Sequence, residues 1–200
     1  LGAGNNTVLA DTGFVDDAAQ IIIADGLGNG DDIITLADGN NLILGGDGSD
    51  IINIGAGNND ILGDTGSFNY VAGIFTADAN GSGDDIITLA DGDNRILAGD
   101  GSDIINIGAG NNDILGDTGS FNYATGTFIA DEIGNGNDVI TTGNGEQRIL
   151  AGYGTDTITT MTGNAIIIGD TGSLQYNGTE LAQATSVGLG GAADTIISGE

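Results

Sequence analysis

Gly28 to Tyr70 reads GNGDDIITLADGNNLILGGDGSDIINIGAGNNDILGDTGSFNY, and 53 residues later Gly81 to Tyr123 repeats it almost letter for letter. A third, more divergent copy starts at Gly134. GAGNNTVLADTGF from Gly2 reads as the tail of a preceding copy, and ADTIISG from Ala193 as the head of a following one. The long repeats therefore run over about 28–80, 81–133 and 134–186, in one continuous domain over 1–200. Neither end carries a visible polar cap, and the first residue is Leu1, so the expectation is a piece of a longer chain or one with an end-to-end neighbour.

A shorter period of nine residues runs inside the long one, as GNGDDIIT, ADGNNLIL, GDGSDIIN and GAGNNDIL. Each unit is a Gly-rich turn, an Asp or Asn, one further residue and then an aliphatic. That last position holds Val8, Ile34, Ile43, Ile52, Ile61, Ile87, Ile96, Ile105, Ile114, Ile140, Ile149, Ile158, Ile167 and Ile196. A turn plus a short strand cannot bury its own Ile. Stacked units can, by forming parallel sheets whose inward positions make a continuous apolar ladder. β-Branched Ile suits the strands, and no window has helical periodicity with caps, so the expected class is all-β with essentially no helix.

Composition narrows the chemistry. Of 200 residues 39 are Gly, His and Cys are absent, and 29 acids against 2 bases give a net charge of −27. There is no imidazole base, no thiol nucleophile, no disulfide framework and no usual zinc ligand set. Two arginines, Arg95 and Arg148, cannot neutralise a phosphate backbone, so neither nucleic acid nor an anionic membrane is an expected partner. No stretch approaches a membrane span. The natural counter-ion is a cation, and an oxygen-only ligand set selects a hard one such as Ca²⁺.

Gly45-Gly46-Asp47-Gly48-Ser49-Asp50-Ile51-Ile52-Asn53 fits every position of G-G-x-G-x-D-x-U-x, and Ala98 to Asn106 and Ala151 to Thr159 match it with Ala in place of the first Gly. In this the chain resembles the RTX, or haemolysin-type, calcium-binding repeat family. Four nonapeptides plus an insertion also look like segments of very large bacterial surface proteins and adhesins. The resemblance implies a parallel β-roll (a β-solenoid) with two nonapeptides per coil and Ca²⁺ held in the turns between coils. The turn residues it nominates are Gly45, Gly46, Asp47, Gly48 and Asp50, then Gly99, Asp100, Gly101 and Asp103, then Gly152, Gly154 and Asp156, with Asp32, Asp85, Asp138 and Asp194 in the matching place of other turns.

With two nonapeptides per coil, alternate turns share an edge. One edge then receives Asp32, Asp50, Asp85, Asp103, Asp138, Asp156 and Asp194, two places before the core aliphatic. The other receives Asn6, Asn41, Asn59, Asn94, Asn112, Gln147 and Ala165. Carboxylates stacked about 4.8 Å apart repel unless a cation sits between them, so an Asp column predicts a calcium column. Asn at the same spacing hydrogen-bonds amide to amide with no ion. The remaining acids of the Asn edge, Asp38, Asp91 and Asp93, read as solvated surface charge.

Insertions at about 11–25, 64–80, 117–133 and 170–189 interrupt the Asp edge. Each has two β-favouring arms, such as Phe68 to Tyr70 and Ile74 to Thr76, or Phe121 to Tyr123 and Thr127 to Ile129. They read as hairpins leaving the roll, folded against its flank or exposed to a partner. Each insertion opens with Asp-Thr-Gly, at Asp11, Asp64, Asp117 and Asp170. The triplet resembles that of aspartic proteases, but two such Asp must share a proton about 3 Å apart, and here they recur along a rod. It reads as a turn at the insertion's base with a carboxylate available to Ca²⁺, and the chain is not expected to be an enzyme.

Leu42, Leu44, Leu62, Leu97, Leu115 and Leu150 flank the core Ile and should point outward, as should Ile33, Ile51, Ile86 and Ile104. So much outer aliphatic surface predicts self-association, lateral or end to end, unless the hairpins cover it. The expected role is a calcium-binding structural module of an extracellular bacterial adhesin, surface layer or filament. The alternative is the calcium-dependent C-terminal roll of a secreted RTX hydrolase or toxin. Ice or mineral binding would need a regular outward Thr rank, which Thr35, Thr88 and Thr141 alternating with Asn53, Asn106 and Thr159 do not supply.

Overall fold

The computed structural model describes residues 1–187 and 192–199, and every regular element in them is a β-strand. The last two residues of the fourth expected insertion, 188 and 189, lie outside the described residues. After each Gly-rich turn the chain makes a strand of three or four residues and then crosses to the opposite sheet. Two seven-stranded parallel sheets result. The isoleucine sheet contains Ile33–Leu36, Ile51–Ile54, Ile86–Leu89, Ile104–Ile107, Val139–Thr142, Thr157–Thr160 and Thr195–Ser198, adjacent in that order. The leucine sheet contains Thr7–Leu9, Leu42–Leu44, Asp60–Leu62, Arg95–Leu97, Asn112–Leu115, Gln147–Leu150 and Ala165–Ile168.

Register follows the nine-residue period. Ile34, Ile52, Ile87, Ile105, Ile140, Ile158 and Ile196 lie side by side across the first sheet. Val8, Ile43, Ile61, Ile96, Ile114, Ile149 and Ile167 do so across the second. The two ladders meet in one solenoid-like apolar core with Leu36, Ile54, Leu89 and Ile107. Each fully buried Ile contributes roughly 1.5–3 kcal/mol. Ladder members on outermost strands have a neighbour on one side only, and Ile196 is 48% exposed for that reason.

The insertions do not leave the body of the protein. They form hairpins Gly13–Asp16/Ile21–Ala24, Gly66–Asn69/Ile74–Ala77, Gly119–Asn122/Thr127–Ala130 and Gly172–Asn177/Glu180–Ser186. Each hairpin pairs with the next to make one eight-stranded antiparallel sheet. The 53-residue period sets this pairing, because it delivers one hairpin per two coils on the same flank. Phe68, Phe75, Phe121, Phe128 and Leu174 fall in register across it, with edge-to-face ring pairs such as Phe68–Phe75 at 5.0 Å.

This row packs on Leu44, Leu62, Leu97, Leu115 and Leu150, all fully buried in a second core. The expected outer leucine stripe is therefore the floor of a third layer and offers nothing to a neighbouring molecule. Leu42 is half-buried at its margin. Ile33, Ile51, Ile86 and Ile104 do face solvent on the opposite sheet.

The two arginines clamp the second core. Arg95 Nε and a terminal nitrogen donate to both oxygens of Asp60 (2.5 and 2.7 Å), and the Tyr70 hydroxyl donates to the same carboxylate (2.6 Å). The guanidinium lies 4.6 Å from the Phe75 ring centre and 5.4 Å from that of Tyr123. Arg148 repeats the arrangement with Asp113, Tyr123, Phe128 and Tyr176. Each clamp joins one coil of the leucine sheet to the next and to the hairpins above.

Candidate cation-binding edge

Turns on the Asp edge stack backbone on backbone. Gly45 and Gly46 donate their N–H groups to the carbonyls of Leu62 and Gly63 in the following coil. Gly48 adopts φ +130°, and a Cβ there would stand 2.5 Å from the Gly30 carbonyl oxygen. Only Gly allows both the conformation and the approach. The Asp that closes each turn is thereby aimed inward, between coils.

The resulting column is continuous. The N–H of Asp32 donates to Asp50 Oδ1, that of Asp50 to Asp85 Oδ1, and that of Asp85 to Asp103 Oδ1, each at 2.8 Å. Asp103, Asp138 and Asp156 extend it to Asp194 at 2.8–2.9 Å. Asp50, Asp85, Asp103, Asp138 and Asp156 are each 1% exposed. In all five, Oδ2 is buried and has no hydrogen-bond partner.

The opposite edge shows what those oxygens lack. The Asn41 N–H donates to Asn59 Oδ1 at 3.0 Å, just as in the Asp column. Its Nδ2 also donates to Asn59 Oδ1 (2.9 Å) and to the Gly39 carbonyl (2.8 Å). Asn59 and Asn94 repeat the pattern, and Asn112 Nδ2 donates to Gln147 Oε1. The amide nitrogen is a donor set between acceptors. In Asp the corresponding atom is an acceptor, so the same backbone geometry leaves it buried with no donor to meet it.

Burial is the main reason these carboxyls resist ionisation, and neighbouring carboxylates add to it. Asp50 is pushed up to about 7, Asp85 and Asp138 to about 8, and Asp156 to about 6, with Asp103 also well above the ordinary carboxylate range. Backbone N–H donation to Oδ1 opposes the shift without cancelling it. The column therefore needs either protons or a cation.

The other nominated residues divide. Gly45, Gly46, Gly48, Gly99, Gly101, Gly152 and Gly154 form the turn backbone around the column, all but Gly45 with φ between +112° and +159°. Asp47 and Asp100 lie further out, half-buried, and their Oδ1 atoms accept the N–H groups of Ser82 (2.9 Å) and Asn135 (2.8 Å). Asp32 and Asp194 are the less buried ends of the column.

Asp38, Asp91 and Asp93 are exposed, as expected of surface charge, and they also link neighbouring turns. They accept the N–H groups of Ala56, Ala109 and Asn111 in the next coil, at 2.7–2.9 Å. A side chain capping the adjacent turn is the general device on both edges, and the stacking that creates it cannot be seen in one turn alone.

Among the described residues no three acidic side chains converge closely enough to hold a metal ion by themselves. An ion on this edge would take one or two carboxylates and fill its remaining places with turn carbonyls and water, as a hard cation accepts. Beside Gly45 and Gly63 such oxygens meet: a Cβ on Gly45 would overlap Asp50 Oδ2 and the Gly63 carbonyl, and one on Gly63 would overlap Asp85 Oδ2 and the Ala98 carbonyl.

Asp64 and Asp117, expected at the insertion's base with a carboxylate available to Ca²⁺, are as buried as the column and each has an unpartnered Oδ1. The Asp-Thr-Gly triplet signalled them, but only their neighbours in space define their surroundings. The Thr65 hydroxyl closes the hairpin base by donating to Asp78 Oδ1 and accepting the Gly81 N–H, both at 2.8 Å.

No protein-family model, curated protein or solved structure matches this chain.

Proposed function

We propose that this chain is a calcium-stabilised structural module: a parallel β-roll of stacked nonapeptides belonging to an extracellular bacterial surface protein, adhesin or filament. The observation that carries the reading is the pairing of two columns with one geometry, Asn with every amide nitrogen satisfied and Asp with five buried, unpartnered oxygens. A dication between coils satisfies those oxygens and offsets part of a net charge of −27. Protons do the same only where the pH is low enough to fill groups held at about 6 to 8.

Weak sites built from turn carbonyls and a carboxylate or two suit the millimolar calcium found outside cells. The rod has no chemistry of its own in this reading, and its task is reach and stiffness that switch on after export. Self-association uses the exposed row Ile33, Ile51, Ile86, Ile104 and Val139 of the isoleucine sheet once calcium has screened the charge.

Isothermal titration calorimetry tests the binding step. Chelator-treated protein titrated with CaCl₂ at pH 7.5 should bind several ions per chain and release protons as it does so. A titration without binding heat, repeated in two buffers of different ionisation enthalpy, would remove the calcium reading.

A further inference from the structure

Asp64 and its repeats occupy a position the calcium motif gives to glycine. Gly46 donates its N–H to the Gly63 carbonyl, and Asp64 donates its own to the Ala98 carbonyl in the same way. Asp64 is therefore the second residue of a turn that the hairpin interrupts before Gly81 resumes it. Along the edge this rank alternates Asp11, Gly46, Asp64, Gly99, Asp117, Gly152. The glycines are required: a Cβ on Gly99 would stand 2.5 Å from Asp64 Cβ, and one on Gly152 2.6 Å from Asp117 Cβ.

One carboxylate oxygen has a plain structural job. Asp64 Oδ2 accepts the Asp100 N–H at 2.7 Å, and Asp117 Oδ2 accepts that of Tyr153. Asn would do this as well. The other oxygen, Oδ1, is buried without a partner in Asp64, Asp117 and Asp170, while in Asp11 it is Oδ2. Asp64 and Asp117 are each 1% exposed, so water does not solvate these atoms. Asp85 Oδ2 lies against Gly63, the residue before Asp64, and Asp138 Oδ2 against Gly116, the residue before Asp117, and each of these carboxylates opposes ionisation of its neighbour. Asp85 and Asp138 carry unpartnered Oδ2 atoms of their own.

We infer that the Asp-Thr-Gly aspartates create a second class of cation site, once per 53-residue repeat, in which Asp64 with Asp85, and Asp117 with Asp138, hold one hard dication between two buried carboxylates. This rests on the calcium reading of the Asp column and refines it. Main-chain oxygens are at hand to complete the shell, since the Ala98 carbonyl borders Asp85 Oδ2 at Gly63 and the Ala151 carbonyl borders Asp138 Oδ2 at Gly116. Two formal charges per ion make these sites tighter than levels where the column Asp acts alone, because carboxylate count is what tunes affinity for Ca²⁺. The sites sit where each hairpin joins the coils, so they also tie the aromatic sheet to the stack.

The test is the double variant Asp64→Asn/Asp117→Asn, which keeps the acceptor for Asp100 and Tyr153 and removes the charge. Native mass spectrometry counts bound Ca²⁺, and competition with a chromophoric chelator measures affinity classes. The expected result is two fewer ions than in the unaltered protein, two fewer sites in a class at least tenfold tighter than the rest, and a retained β spectrum in millimolar calcium. Asp38→Asn/Asp91→Asn, on the opposite edge, should leave the count unchanged.

An unchanged count in the double variant overturns the inference and leaves the calcium reading standing. Should the variant not fold, the unaltered protein decides: a tight minority class beside a weaker majority supports the assignment, and a single class of equal sites overturns it. Absence of any bound ion at pH 7.5 removes both readings together.

Discussion

The N–H of Asp50 donates to Asp85 Oδ1 at 2.8 Å, while Oδ2 of each residue is buried with no partner. Each coil is thus hydrogen-bonded to the next through a carboxylate that is half satisfied. The four-residue change Asp50→Asn, Asp85→Asn, Asp103→Asn and Asp138→Asn converts this column into a copy of the Asn edge. It should fold at neutral pH with much less calcium than the unaltered protein needs, the residual requirement coming from Asp156 and the hairpin-base Asp64 and Asp117, whose buried oxygens stay unpartnered. The pair Asp50→Asn and Asp103→Asn should bind fewer ions and fold at a calcium level between those of the unaltered protein and the four-residue variant.

Asn41→Ala with Asn94→Ala probes the other edge. Each change removes two donor contacts and leaves a half-buried Gly39 or Gly92 carbonyl without its side-chain donor, at a cost of about 1–3 kcal/mol apiece. Thermal unfolding in calcium should register that loss, while the number of bound ions stays the same. A drop in ion count would refute the division of labour between the edges.

Stability of the calcium-free protein should fall as pH rises. Asp50, Asp85, Asp138 and Asp156 titrate at about 7, 8, 8 and 6 when folded, against about 4 in an unfolded chain. Between those limits the folded state holds more protons, so their contribution is complete below about pH 4 and is lost as pH climbs through 6 to 8. Chelated protein should therefore gain β signal on acidification from pH 9 to pH 5. Saturating calcium should flatten or reverse the trend, because the ion competes with the protons.

Much of the core was legible from the nine-residue period alone, which places Ile43, Ile52, Ile61 and their equivalents in the shared ladder. Sorting Asp from Asn by alternate turns likewise put Asp50 and Asp85 in one column. What lay beyond the sequence was everything that depends on a neighbour in another coil or another long repeat. Leu44 and Leu97 looked outward because their cover comes from hairpins pairing across the 53-residue repeat, Phe75 with Phe121. Asp91 is exposed, as expected, but its hydrogen bond from the Ala109 N–H was hidden because that partner belongs to the next coil. The Asp60–Arg95–Tyr70 clamp combines both kinds of distance.

Leu97→Asp should unfold the junction between the leucine and aromatic sheets, since Leu97 is fully buried between Leu62, Leu115 and the Phe rows. Leu97→Ala should cost about 2–5 kcal/mol in calcium. Neither change should act through self-association. Ile86→Asp and Ile104→Asp, on the exposed face, should instead leave stability nearly unchanged and suppress any calcium-driven rise in mass seen by light scattering.

Arg95→Ala removes a bidentate ion pair and a guanidinium packed against Phe75 and Tyr123. Because the side chain is about one-third exposed, screening reduces the loss, and about 1–3 kcal/mol is expected. Arg95→Lys should recover little of it, as a point charge cannot make the planar two-toothed contact. Denaturant unfolding of both variants in calcium measures the difference.

The central claim is that cations between Asp-edge turns hold the stack together, and far-ultraviolet circular dichroism of chelator-treated protein at pH 7.5 tests it most directly. The account predicts a largely disordered spectrum that converts cooperatively to β as Ca²⁺ is added to millimolar levels and reverts with excess chelator. A full β spectrum in excess chelator, unchanged by calcium, would contradict it.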